Sequence, residues 1–212
     1  MNIGAVVLYR QDNKNQVFDR VKSMGMTTCQ LVCWDMSLYT DENAESIKRQ
    51  IAASGVKPSA LWAGYQGYIE WNFTAGPTTL GIVPNTLRAA RIADLKAGAD
   101  FAKKIGVPMI ISHFGFLPTN MTDYTFGPVV EAVREIGLYC KNLGLDLCFE
   151  TGQETPVTLL RTIVATGLDN LGINLDPVWC ITKSEVGKSL RVVEALPEYK
   201  SAAAVSERDS KS

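Results

Sequence analysis

The stretch from Asp146 to Trp179 constrains the fold most. Two apolar runs, Leu145–Phe149 and Leu171–Leu175, are each followed at once by an acid, Glu150 and Asp176. Between them, Pro156–Thr166 carries apolar residues at helical spacing. A strand, a crossover helix and a second strand make a βαβ unit, which forces the two strands to be parallel. Both carboxylates then emerge on one edge of the sheet, the edge where α/β proteins place their chemistry. Two acids aimed at one point can hold a divalent cation or share proton transfer. The plainer alternative is that they cap the loops that follow.

The same alternation runs back to the start of the chain. Asn2–Leu8 is an apolar run of strand length, and Asn13–Met24 follows with Val17, Val21 and Met24 at helical spacing before Gly25. Thr27–Cys33 is a β-branched and apolar strand that ends at Trp34, and Thr40 offers an N-cap for a helix that closes at Gly55. Lys57–Ala63 reads as a weaker strand because of Pro58. Asn85–Ile105 is an amphipathic helix ending at Gly106, Val107–Ser112 is an apolar strand delivering His113, and Phe126–Leu143 is a helix closed by Gly144. Strands thus begin near residues 2, 27, 57, 107, 145 and 171, each followed by a helix pattern. Six β-α units with polar residues repeatedly at strand ends favour a TIM (β/α)8-type barrel with outer helices over a doubly wound sheet. After the first strand stands YRQDNKN, so the glycine-rich dinucleotide fingerprint is missing. Gly187-Lys188-Ser189 lacks the earlier glycine and the preceding strand of a P-loop.

With 46% hydrophobic and 20% charged residues over 212 positions, the chain can build one large core, and residues 1–200 read as a single domain. The net charge of −1 gives no electrostatic reason to expect nucleic acid or an anionic membrane, so a small molecule is the default partner. No run approaches a membrane span, and the N-terminus lacks the basic region and cleavage site of a signal peptide. The five cysteines lie mostly inside apolar runs, which is buried-thiol usage in a reducing compartment and sets the expectation of a cytoplasmic protein. Cys29 and Cys33 have no second pair with which to form a zinc site.

Three strand-end motifs, GVPMIISHFGFLP with His113, GLDLCFETGQET with Glu150 and NLGINLDPVW with Asp176, resemble the sugar phosphate isomerase/epimerase family of xylose isomerase-like TIM barrels. The resemblance covers about residues 1–178. It implies one divalent metal, Mn²⁺, Mg²⁺, Co²⁺ or Zn²⁺, at the mouth of the barrel, held by Glu, Asp, His and Glu after four successive strands. It also implies proton shuttling through an enediolate of a small sugar or sugar phosphate. Glu150 and Asp176 match the first two ligands. The other two have no counterpart, because His113, the sole histidine, stands on an earlier strand and the chain after Asp176 is short. A full barrel takes about 250 residues. The expectation is therefore an incomplete barrel of six strands, with a helix at Ser189–Leu196 and a disordered tail from 201 to 212. Its open edges would be covered by the tail or by another copy in a homo-oligomer. A site of two carboxylates would bind the metal weakly.

Two functions follow. One is a metal-dependent isomerase or epimerase of a small sugar or polyol, with Glu150 as acid/base and ligand, Asp176 as ligand, and His113 orienting substrate or metal-bound water. The other is an inactive barrel fragment that binds a sugar or a partner. The loop GYQGYIEWNFTAGPTTLGIVP is a surface Ω-loop or a substrate cover. Its aromatics, with Trp34 and Phe116, either wall the sugar site or pack as core and lid. Arg88 and Arg91 share one helix face, where solvation is favoured over phosphate binding.

Overall fold

Among the described residues six strands form, and each pairs in parallel with its sequence neighbours alone: β1 (Ala5–Leu8), β2 (Thr28–Cys33), β3 (Lys57–Ala63), β4 (Met109–Ser112), β5 (Asp146–Glu150) and β6 (Leu171–Asn174). The computed structural model describes residues 3–152 and 154–176. Strand order without a reversal is the order of a barrel wall, whereas a doubly wound sheet reverses at its switch point. The helices are α1 (Asp19–Ser23), α2 (Asp41–Ser54), the single turn α3 (Gly76–Thr79), α4 (Asn85–Ile105), α5 (Phe126–Leu143) and α6 (Pro156–Thr166). Among the described residues β1 and β6 are the two edges of the sheet.

The sheet is strongly curled, as one hydrogen bond demonstrates. Gln30 on β2 donates from Nε2 to Oδ1 of Asn174 on β6 at 2.7 Å. In a flat sheet these strands would stand roughly 19 Å apart, four spacings of about 4.8 Å. Side chains alternate between the two faces of this curved wall. Leu31, Leu61, Ile110, Leu147 and Ile173 join Ile47 of α2, Leu95 of α4, Val133 of α5 and Ile163 of α6 in the layer between sheet and helices. Ala60, Trp62, Met109, Ile111 and Cys148 form a second cluster on the concave side. Burial on both faces is why β4 and β5 read as nearly continuous apolar runs.

The helix stops lie where the glycines stand: α2, α4, α5 and α6 end at Gly55, Gly106, Gly144 and Gly167, all in the left-handed region. Thr40 caps α2 by accepting from the Asn43 N–H. Two elements differ from the sequence reading. Pro58 does not demote β3, which is a seven-residue strand between two neighbours. Its register jumps so that Cys29 faces Pro58 and Gln30 faces Ala60, leaving Ser59 as a bulge whose hydroxyl donates to the Cys29 carbonyl. The bulge accommodates the missing proline donor at the strand's start.

The first helix is also shorter than the Asn13–Met24 expected, spanning only Asp19–Ser23. Asn13 accepts from the Arg10 N–H and donates to the Leu8 carbonyl, while Gln50 of α2 accepts from the Val17 N–H and donates to the Lys14 carbonyl. Side chains thus satisfy the backbone that a helix would otherwise have paired. No helix among the described residues is long and apolar enough to cross a membrane. The helix expected at 189–196, the tail and Cys180 lie outside the described residues.

Candidate active site

All strands deliver their C-terminal ends to one edge, and a cavity of about 400 Å³ opens there. Its walls include Trp34 beyond β2, Trp62 of β3, His113 beyond β4 and Glu150 closing β5. Ile69 and Trp71 of the β3–α4 loop complete one side. Trp71 sets its ring edge-on to His113, with centroids 5.0 Å apart, and lies 6.2 Å from Trp34. The loop is therefore neither a detached surface feature nor remote from the strand ends. Phe116 is not one of the lining residues: it packs at 5.8 Å against Phe73, and Gly76 lies so close that an added Cβ would fall 2.5 Å from its ring.

Glu150 is buried and accepts a hydrogen bond on Oε2 from the Asn174 amide. Burial pushes its carboxyl up to about 7; the Asn174 bond opposes the shift, and the negative charges of Asp176 and Glu154 add to it. Gln30 fixes the Asn174 amide by donating to its oxygen, so that the nitrogen is turned toward Glu150. Thr151 stitches β5 to β6: its N–H donates to the Asn174 carbonyl at 3.1 Å, and its hydroxyl accepts from the Asp176 N–H at 2.7 Å. Asp176 is held by this stitch at the mouth beside Glu150.

His113 is also buried, and its Nδ1 accepts from the Gly115 N–H at 3.1 Å. A neutral ring therefore carries its proton on Nε2. Nε2 faces the backbone of Gly152, where an added Cβ would sit only 2.3 Å away. Only glycine permits the β5–α6 loop to pass the imidazole at this distance. The same loop supplies Glu154, which accepts from the Gly152 N–H at 3.0 Å and whose carboxyl burial pushes up to about 7.

The site thus unites Trp34, His113 and Glu150 around one cavity with Asp176 at its rim. Trp71 joins them from the aromatic loop expected either to wall the site or to pack as core and lid, and Asn174, Gln30, Thr151 and Glu154 are additions that the sequence reading did not single out. Glu150 and Asp176 are hard oxygen donors whose mutual repulsion a divalent cation would relieve, so this half of a donor set fits Mg²⁺ or Mn²⁺. Among the described residues no group of three or more metal-binding side chains comes together. Cys29, Cys33 and Cys140 are poor thiolate donors, because burial pushes each of them up to about 12. Arg91 corrects the expectation of a solvated helix face, because it is fully buried and its guanidinium donates to backbone carbonyls of the β3–α4 loop. Arg88 likewise donates to the carbonyls of Ile82 and Val83.

Comparison with known proteins agrees with this architecture. A xylose isomerase domain protein from Planctomyces limnophilus superposes with a TM-score of 0.79 at 25% identity, over 92% of this chain and 70% of that one. An L-ribulose 3-epimerase gives 0.69 at 16% identity, over 92% and 68% of the two chains. A xylose isomerase-like TIM barrel protein from Mycobacterium smegmatis, in complex with magnesium, gives 0.57 at 18% identity, over 77% and 56%. No curated protein sequence matches the chain. The family model described as xylose isomerase-like TIM barrel matches residues 18–204, and the chain belongs to that family.

Proposed function

We propose that the chain is a divalent-metal-dependent isomerase or epimerase of a small sugar or sugar phosphate, working by proton transfer through an enediolate. The observation that carries this reading is Glu150, a buried carboxyl at a strand end whose affinity for a proton is raised to about 7. A general acid/base works best when its pKa lies near the working pH, because it must both take and return the proton. As carboxylate, Glu150 removes the proton from the carbon beside the sugar carbonyl. The C–H electron pair moves into the new C=C bond, and the carbonyl oxygen takes up the negative charge. Return of a proton to the former carbonyl carbon, with the hydroxyl proton passing from one oxygen to the other, gives isomerisation, and return to the original carbon by a proton donor on the opposite face gives epimerisation.

Asn174 holds one Glu150 oxygen, leaving the other to address the substrate. His113, whose ring borders the cavity beside Trp71 and Glu150, orients the substrate. Trp34 and Trp71 offer aromatic faces to the C–H side of a sugar and keep water from the reacting carbon. Glu150 and Asp176 would hold the cation, which supplies Lewis-acid polarisation of the carbonyl and stabilises the charge of the enediolate.

The test is deuterium exchange at the carbons next to the carbonyl of a panel of ketoses and ketose phosphates, followed by NMR with Mn²⁺ or Co²⁺ present. The wild type should exchange, and Glu150→Gln should lower the rate at least about 100-fold, the range for a lost general base. A second reading, a sugar-binding barrel without turnover, draws on the fact that no group of three or more metal-binding side chains comes together among the described residues. Sugar binding without exchange in any member of the panel would favour it.

A further inference from the structure

The β3–α4 loop is closed at its base by a single buried cation. Arg91 of α4 has no exposed surface. Burying a guanidinium is costly unless its donors are used. Here Nε donates to the Gln66 carbonyl at 3.1 Å and Nη2 to the Tyr68 carbonyl at 3.2 Å, both on the outgoing limb of the loop. Nη1 donates to the carbonyls of Thr79 at 2.7 Å and Gly81 at 2.6 Å, both on the returning limb. The guanidinium carbon lies 4.5 Å from the centre of the Tyr65 ring, whose hydroxyl accepts from the Gly81 N–H at 3.0 Å. One turn along α4, Asp94 accepts from both the backbone and the side-chain amide of Gln66.

Between the two clasped limbs lie Ile69 and Trp71, the cavity-facing residues of the loop. The returning limb then crosses the β4–α5 loop backbone to backbone. The Ile82 N–H donates to the Phe114 carbonyl, and a Cβ on Gly81 would fall 1.9 Å from that carbonyl carbon. A loop pinned at its base and along one side has little freedom to move its tip. Only arginine presents five N–H donors in a fixed planar fork, so a lysine would keep the charge but could not reach both limbs with the same geometry.

We propose that Arg91 is a positioning residue of the active site: by clasping both limbs of the β3–α4 loop, it holds the Trp71 ring against His113 and so fixes the wall that orients the substrate. The proposal rests on reading this cavity as the reactive site, but the position of Trp71 can be measured without turnover. The protein is labelled with 5-fluorotryptophan, and the Trp71 resonance is assigned by its loss in Trp71→Phe. In the wild type a single Trp71 resonance is expected; in Arg91→Lys it should shift or split, while the resonance of Trp62 on β3, assigned by its loss in Trp62→Phe, and the far-UV circular dichroism stay as in the wild type. On the ketose that the Mn²⁺-loaded wild type turns over, Arg91→Lys should lower kcat about tenfold or more, as a loosened near-attack geometry does, with Mn²⁺ affinity changed less than about twofold. Should Arg91→Lys fail to fold, Asp94→Ala loosens only the outgoing limb and should produce the same Trp71 shift at smaller amplitude. An unchanged Trp71 resonance in the folded variant overturns the proposal and leaves the enzymatic reading standing. Absence of wild-type exchange on every ketose defeats the enzymatic reading instead, and the resonance then decides the clasp by itself.

Discussion

Removing the charge of Glu150 should make the metal-free protein more resistant to rising pH, which is the reverse of what deleting a carboxylate usually does. Its carboxyl moves from an ordinary 4.5 to about 7 in the folded state. Between those values the native protein retains a proton that the unfolded chain has released. The stabilisation is therefore complete below about pH 4.5 and is lost as pH climbs through 7. Moving the carboxyl from 4.5 to about 7 corresponds to roughly 3 kcal/mol, and exposure of only 4% leaves little solvent to screen it. For a chain of this size that is roughly 6–12 °C in Tm.

The assay is thermal or urea denaturation of chelator-treated wild type and Glu150→Gln across pH 5 to 8, reading the difference between the two proteins. Surface carboxylates whose affinity for protons is lowered, such as Asp41 and Asp169, titrate equally in both and cancel. Glu154 shares the upward shift, so Glu154→Gln is the companion control. Mn²⁺ should reverse the trend in the wild type alone, because the ion binds the ionised carboxylate and stabilises by RT ln(1 + [Mn²⁺]/Kd). If wild type and Glu150→Gln lose stability in parallel between pH 5 and 8, the burial argument for Glu150 is refuted, and with it the reason to choose this residue as the proton carrier.

Two further outcomes are expected. Gly152→Ala would place a methyl group 2.3 Å from His113 Nε2, so the imidazole or the β5–α6 loop must move; the His113 NMR resonances should shift and ketose exchange should fall at least about tenfold, while Gly127→Ala, which meets nothing within 4 Å, should leave both unchanged. Cys29, Cys33 and Cys140, buried and pushed up to about 12, should resist a thiol reagent at pH 8 in the folded protein and react fully in urea, as read by peptide mass spectrometry; rapid native labelling at Cys29 or Cys33 would contradict the packing of β2.

What could be read from the sequence was whatever depends on near neighbours along the chain. Glu150 and Asp176 stand at their strand ends because an apolar run stops at each, and the helices stop at Gly55, Gly106 and Gly144 because only a left-handed residue ends them there. At the first helix and at Arg91, groups distant along the chain take over a local choice. Gln50 pairs with the backbone at Val17, 33 positions away, and so the first helix shortens. Arg91 has the spacing of a solvated arginine, and only the fold brings the carbonyls of residues 66 to 81 around it.

Gln30 and Asn174 lie between these cases, and their signal was present. Each is an amide interrupting an apolar strand, at a position whose alternation faces the concave side of the sheet. A polar side chain there must find a partner across the lumen or be solvated. The partner of each is the other, 144 residues apart, and the bond between them turns the Asn174 nitrogen onto Glu150. In a curled parallel sheet, polar residues at lumen-facing positions should therefore be read together with the strand-end acids. The acids supply the chemistry, and the amide paired beside Glu150 on the next strand decides which of its oxygens remains to perform it.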